Sequence, residues 1–144
     1  MTQTGAIGEQ WVAHWLTQQQ WKILHQRWRS RWGEIDLIAE SPRREIVFIE
    51  VKTRSRGNWD ENGMLAVNLA KQAKIQKTAA SFLQCYPLLC DRNCRFDVAL
   101  VASSPVDDNL DLTDRLPTIE LRKPALWQGY RLTLVAYLEN AFTS

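Results

Sequence analysis

Ile46-Val47-Phe48-Ile49-Glu50-Val51-Lys52 decides how this chain folds. Four apolar residues in a row, bounded by Pro42 upstream and by the polar stretch Thr53 to Gly57 downstream, mark a buried strand. Side chains alternate along a strand, so Glu50 and Lys52 project together while Val51 points away. A carboxylate and an ammonium at the end of so apolar a strand are costly unless they meet partners, a metal or a substrate.

Working outward, Gly33 to Ala39 reads as the preceding strand, with Glu34, Asp36 and Ile38 on one face, and Ser41-Pro42-Arg43-Arg44 carries a turn signal. In a regular antiparallel hairpin the numbers of paired residues keep a constant sum. If Ser41 pairs with Glu45 across a three-residue loop, Asp36 falls opposite Glu50 and Glu34 opposite Lys52. Opposed β-carbons lie about 5 Å apart, and like charges so placed destabilise the sheet. A cross-strand salt bridge explains Glu34 with Lys52 but not Asp36 with Glu50. A divalent cation explains both acids. An even-numbered loop would put them on opposite faces and remove the argument.

The oxygen ligands on offer, Asp36, Glu50 and the Val51 carbonyl, suit Mg²⁺ or Mn²⁺. Such an ion holds a scissile phosphate and lowers the pKa of a bound water, while Lys52 could orient that water or neutralise developing charge. Asp followed at a distance by Glu-x-Lys recurs by chance in many chains. Placement on adjacent strands with a like-charge clash gives it weight.

The flanking sequence supplies the rest of a domain. A first helix, capped by Thr2 or Thr4, runs to about Gln19, and Glu9 shares its apolar face with Val12, Ala13 and Leu16. Helix-dipole stabilisation accounts for a glutamate near the N-terminus but not for its place on the core side. Trp21 to Trp28 reads as a strand near an edge. Thr53 to Gly63 reads as a mobile loop, and Val67 to Leu83 as a helix with Ala73, Ala79, Ala80 and Leu83 inward and Lys71, Lys74 and Lys77 outward. Arg95 to Val101 is a short strand, and residues 103–114 form an acidic, flexible loop. Leu116 to Leu121 and Tyr130 to Val135 are further strand candidates, with a helix-like end from Leu138 to Phe142. One domain over 1–144 follows: an α/β fold of order α-β-β-β-α-β, with a mixed sheet flanked by helices.

Composition narrows the function. With 144 residues the chain can bury roughly 70% of its unfolded surface as one domain. Net charge is only +2, but Arg27, Arg29, Arg31, Arg43, Arg44, Arg54 and Arg56 crowd the sequence around the Glu-Val-Lys strand. A basic zone around buried carboxylates suits a polyanion; an arginine-rich edge that resists aggregation is the plainer account. Three cysteines, Cys85, Cys90 and Cys94, argue against a disulfide framework, and their spacing suits zinc poorly, so reduced and partly buried thiols are expected. Most of the seven tryptophans should be core or strand-face residues, with Trp59 a candidate stacking platform in a polar loop. No stretch approaches the roughly 18 apolar residues of a membrane span, and no signal-peptide pattern opens the chain, so a cytoplasmic protein is expected.

Taken together, Gly33-Glu34-Ile35-Asp36-Leu37-Ile38, Phe48 to Arg54, Lys71 with Ile75 and Ala79, Arg95-Phe96-Asp97-Val98 and Glu139-Asn140-Ala141-Phe142 resemble the YraN-like family of small bacterial proteins. Gly8-Glu9 with Ala13 and Leu16 is similar to that family's first helix. The resemblance covers nearly the whole chain. It implies a restriction-endonuclease-like fold of the PD-(D/E)xK group, close to archaeal Holliday-junction resolvases. It further implies Asp36 and Glu50 as metal-binding acids, Lys52 as the active-site lysine and Glu9 as the helix glutamate. Arg27 departs from the pattern, since many members carry asparagine there; a local turn contact is what that puts in question.

Three functions stay open on the sequence. One is a metal-dependent nuclease acting on nucleic acid, DNA rather than RNA, with Arg54, Arg56, Lys71, Lys74 and Lys77 on the phosphates and a homodimer as an open partner. The second is a nucleic-acid-binding module without cleavage, against which the intact Asp, Glu and Lys argue. The third is a protein-interaction domain using the tryptophans. Salt-sensitive binding separates the third from the others.

Overall fold

The computed structural model describes residues 3–55, 68–106 and 115–142. Helix α1 (Gln3–Gln18) leads into strands β1 (Lys22–Ser30), β2 (Gly33–Glu40) and β3 (Ile46–Arg54). Helix α2 (Leu69–Cys85), a short 3-10 turn (Pro87–Leu89) and strands β4 (Cys94–Pro105), β5 (Ala125–Trp127) and β6 (Tyr130–Phe142) follow. The strands form one six-stranded sheet in the order β1-β2-β3-β4-β6-β5. Every neighbouring pair is antiparallel except β3 with β4, which are parallel and therefore need a crossover; α2 supplies it. This is the expected α/β, restriction-endonuclease-like core.

Each face of the sheet buries its own helix. Val47, Ile49 and Val51 of β3 pack with Trp11, Val12, Ala13 and Leu16 of α1. Ile46 and Phe48, on the other side, pack with Ile75, Ala79 and Phe82 of α2. The inward stripe of α2 is thus Ile75, Thr78, Ala79 and Phe82, with Leu83 packed against it; of the expected stripe Ala79 and Leu83 face the core, whereas Ala73 and Ala80 are exposed. Phe82 explains the choice of face, because its ring meets Trp28 and Phe48 edge-on at 5.4 and 5.9 Å, contacts that no alanine could supply. Asn68 caps α2 by accepting the Lys71 N–H at 2.9 Å.

Several sequence-based expectations need correction. Leu138 to Phe142 is not helical but the end of β6. Its apolar spacing imitates a helix because the strand bulges between the Phe96 and Val98 pairings, with Asn140 at φ 51° and its N–H donated to buried Asp97 at 2.9 Å. Residues 116–121 form no strand; they are pinned to the end of α1 by Gln18, which donates to the Pro117 carbonyl and accepts from Ile119 N–H. The three-residue β5 was not foreseen.

Ser103 to Pro105 belong to β4, and Thr53 and Arg54 to β3, not to loops; the acidic stretch 107–114 and the loop residues 56–63 lie outside the described residues. Thr4 sits inside α1 and so is not its cap, while Thr2 is outside the described residues. The three cysteines are free but exposed, not partly buried. Among the described residues no helix is long and apolar enough to cross a membrane.

Candidate active site

The hairpin of β2 and β3 adopts the three-residue register. Ser41 N–H donates to the Glu45 carbonyl at 3.0 Å, and the ladder runs from Glu40 with Ile46 to Leu37 with Ile49. There it stops. Asp36 and Glu50 would be the next pair, but the strands open instead, and Asp36 Oδ2 accepts the Val51 N–H at 2.8 Å. Side-chain alternation in β2 slips at this point: Leu37 packs on the α1 side, while Ile35 packs on the α2 side. Asp36 therefore does not keep to one face with Glu34 and Ile38. It turns into the gap beside β3.

Glu50 is 4% exposed, and its Oε1 finds no hydrogen-bond partner. Its Oε2 lies 3.8 Å from Lys71 Nζ, an ion pair too long for a hydrogen bond. Burial first, and the Asp36 charge second, push the Glu50 carboxyl up to about 8. Burial also raises Asp36, opposed by the Val51 hydrogen bond and by Lys71. Lys52 is pushed down to about 8, by burial and then by the neighbouring Lys71 ammonium. Two acids held toward their neutral forms and a lysine held toward its own mark a site short of compensating charge.

Lys71 was expected on the outer face of α2 among phosphate contacts. It instead reaches inward to Glu50, while Lys74 and Lys77 remain exposed. Glu34 does not pair with Lys52; its carboxylate accepts from Arg29 Nε at 2.5 Å. Arg54 ends β3 at the same end of the sheet, whereas Arg43 and Arg44 sit on the hairpin tip at the other end. Arg56 and Trp59 lie outside the described residues.

Glu9 joins from α1. It is 5% exposed, and burial followed by the Asp36 charge raises its carboxyl to about 7, against the pull of Arg27. Arg27 Nε donates to Glu9 Oε1 at 3.1 Å from a backbone at φ 53°. Asparagine tolerates that left-handed conformation far better than arginine. The departure noted at this position is therefore more than a turn contact: it places a guanidinium on a site carboxylate. What seats α1 so close is Gly8, where a β-carbon would stand 2.0 Å from Thr53 Oγ1.

Sequence reasoning named Lys71 and Gly8 but missed the inward reach of Lys71 to Glu50, the close approach of α1 that Gly8 allows, and the contact of Arg27 with Glu9. The reach of Lys71 was detectable, since it precedes Ile75 by four residues and Ile75 precedes Ala79 by four, one stripe on one helix face. Among the described residues no group of three or more His, Cys, Asp and Glu could hold a metal together. A centre here would rest on two carboxylates and backbone, with water and phosphate completing it. Mg²⁺ commonly accepts such sparse protein ligation.

An α-β-β-β-α-β core with an acid-and-lysine strand at the open end of its β2–β3 hairpin defines a restriction-endonuclease-like α/β protein. Within that class the chain belongs to one family. The model described as "Uncharacterised protein family UPF0102", the YraN family, matches residues 8–101, from Gly8 beside Glu9 to the middle of β4. The chain is similar to a UPF0102 protein of Synechocystis sp., 53% identical over 99% of each chain. It is also similar to UPF0102 proteins of Acaryochloris marina, 45% identical over 98% of this chain and 90% of the relative, and of Trichodesmium erythraeum, 41% identical over 96% and 88%.

Proposed function

We propose that the chain is a metal-dependent endonuclease that hydrolyses phosphodiester bonds of DNA. The observation that carries this is Glu50: a buried carboxylate beside Asp36, with one oxygen unpartnered, where the β2–β3 ladder opens. Purely structural acids are normally satisfied when buried. The donor set fits Mg²⁺ or Mn²⁺, with Asp36 and Glu50 as ligands and the Val51 carbonyl as a third. When bound, the ion would polarise the phosphate and acidify the attacking water.

The chain's own residues do the rest. Asp36 is fixed by the Val51 N–H, so its free oxygen is already oriented. Lys52, with its ammonium weakened by burial and by Lys71, is suited to take a proton from the attacking water near neutral pH. Lys71 compensates Glu50 and is placed to meet phosphate charge as substrate arrives. Glu9, steered by Arg27, borders the site from α1 and adds an outer acid.

A panel of branched, duplex and single-stranded DNA and of RNA, each with Mg²⁺ or Mn²⁺, tests the proposal. Metal-dependent cleavage that disappears in Glu50→Gln is expected. If no substrate is cut, the proposal is wrong and a nucleic-acid-binding module becomes the better reading.

A further inference from the structure

Trp32 forms the tip of the β1–β2 turn and is 38% exposed, unusual for so large an apolar side chain. Two cations crowd its ring. The Arg31 guanidinium lies 4.5 Å from the ring centroid and Lys77 Nζ of α2 lies 4.8 Å from it. Among the described residues neither cation is paired with a carboxylate. The turn is seated on α2, since a β-carbon on Gly33 would be 3.5 Å from Thr78 Oγ1.

The turn lies at the site's end of the sheet. β2 runs from Gly33 toward the hairpin tip, so Trp32 is four residues before Asp36, roughly 13 Å along the strand direction. α2 gives a second measure: Lys71 at Glu50 and Lys77 at Trp32 are six residues apart, a rise of about 9 Å, with exposed Lys74 between them. A cationic track thus leads from the acids to an exposed indole. Two unneutralised cations over one ring favour a polyanion there, and an indole offers what a bare basic patch lacks, a face on which a base stacks as the long side chain over it swings to a phosphate.

We propose that Trp32 is a stacking platform for an unpaired base of single-stranded DNA lying a few nucleotides from the cleavage point, with Arg31 and Lys77 on the adjoining phosphates. The substrate class follows: paired bases in an intact duplex are stacked on each other and cannot use the ring, so the DNA carries a single-stranded stretch beside the scissile bond. This rests on the nuclease proposal and narrows it.

The test measures fluorescence anisotropy in EDTA, where binding is read apart from cleavage, on three labelled probes: oligothymidylate, an abasic strand of the same length and a blunt duplex. Trp32→Ala should lose about tenfold in affinity for oligothymidylate while changing less than about twofold on the other two. Trp32→Phe should retain most of the binding, and matched unfolding midpoints control for folding. Equal affinity of wild type and Trp32→Ala for oligothymidylate overturns the platform, as does an equal loss on the abasic strand. If wild type with Mg²⁺ cuts blunt duplex as fast as DNA carrying a single-stranded stretch, the nuclease stands and the proposed substrate class falls. If wild type binds no probe and cuts nothing, both fall.

Discussion

Val51 donates its backbone N–H to Asp36 Oδ2 at 2.8 Å, so a side chain supplies the bond that follows the last backbone pair between the two strands. The carboxylate is held by one oxygen and presents the other. This ties the geometry of a candidate ligand to the backbone of the strand that carries Glu50 and Lys52, and it separates charge from position in a way that mutation can read.

Asp36→Asn keeps an oxygen for Val51 but removes a buried charge. It should fold as well as wild type or better, and lose about a hundredfold or more in cleavage rate. Asp36→Ala abandons the N–H in a half-buried site and should cost about 1–3 kcal/mol of stability. Thermal unfolding alongside a single-turnover assay checks both. An active Asp36→Asn would show that the side chain serves the sheet alone.

Lys52 and Lys74 should fail differently. Lys52→Ala should abolish cleavage with affinity nearly intact, because its contribution falls in the transition state. Lys74→Ala should cleave at the normal rate once saturated but bind more weakly, with the salt dependence of binding reduced by about one ion. Unchanged affinity and salt slope would leave Lys74 an ordinary solvated helix residue.

The hairpin was legible because its chemistry is arithmetic: Ser41 with Glu45 fixes the sum, and the sum places Asp36 against Glu50. Which residue breaks the ladder was not legible, since the slip between Ile35 and Leu37 goes with packing on both faces of the sheet, not with any local propensity. The α2 face was misjudged because alanines were weighed as core while Phe82 fills far more space. β6 was read as part strand and part helix because the Asp97–Asn140 bulge disturbs its alternation. Bulges and helix phase are set by tertiary partners, and one strand's sequence does not display them.

Gly8 can be tested as a spacer. Gly8→Ala places a β-carbon 2.0 Å from Thr53 Oγ1, so α1 or β3 must shift. Overpacking of this kind costs about 1–3 kcal/mol. Because the next residue is Glu9, cleavage should fall as well. In Gly8→Ala with Thr53→Ala the oxygen is gone and the remaining contact is at 3.1 Å, so part of both losses should return. No recovery in the double variant would mean that the contact with Thr53 is not what sets the distance of helix α1.

Metal-free stability should depend on pH with a defined sign. The Glu9 carboxyl moves from 4.5 to about 7 on folding, and Glu50 from 4.5 to about 8. Between those values the folded chain holds protons that the unfolded chain has released, so stability falls as pH rises from about 5 to about 8. Lys52, lowered from 10.5 to about 8, acts in the opposite sense and only above about 8. Divalent metal needs the acids deprotonated, so it binds better as pH rises and stabilises the folded state where the bare site is weakest. Unfolding midpoints in EDTA should therefore drop by about 4 °C or more between pH near 5 and pH near 8. Added Mg²⁺ should restore more at the higher pH than at the lower. Glu50→Gln should shrink the EDTA profile to the share that Glu9 contributes and abolish the Mg²⁺ increment. A Mg²⁺ increment that survives in Glu50→Gln would place the ion elsewhere on the chain and remove Glu50 from the metal site.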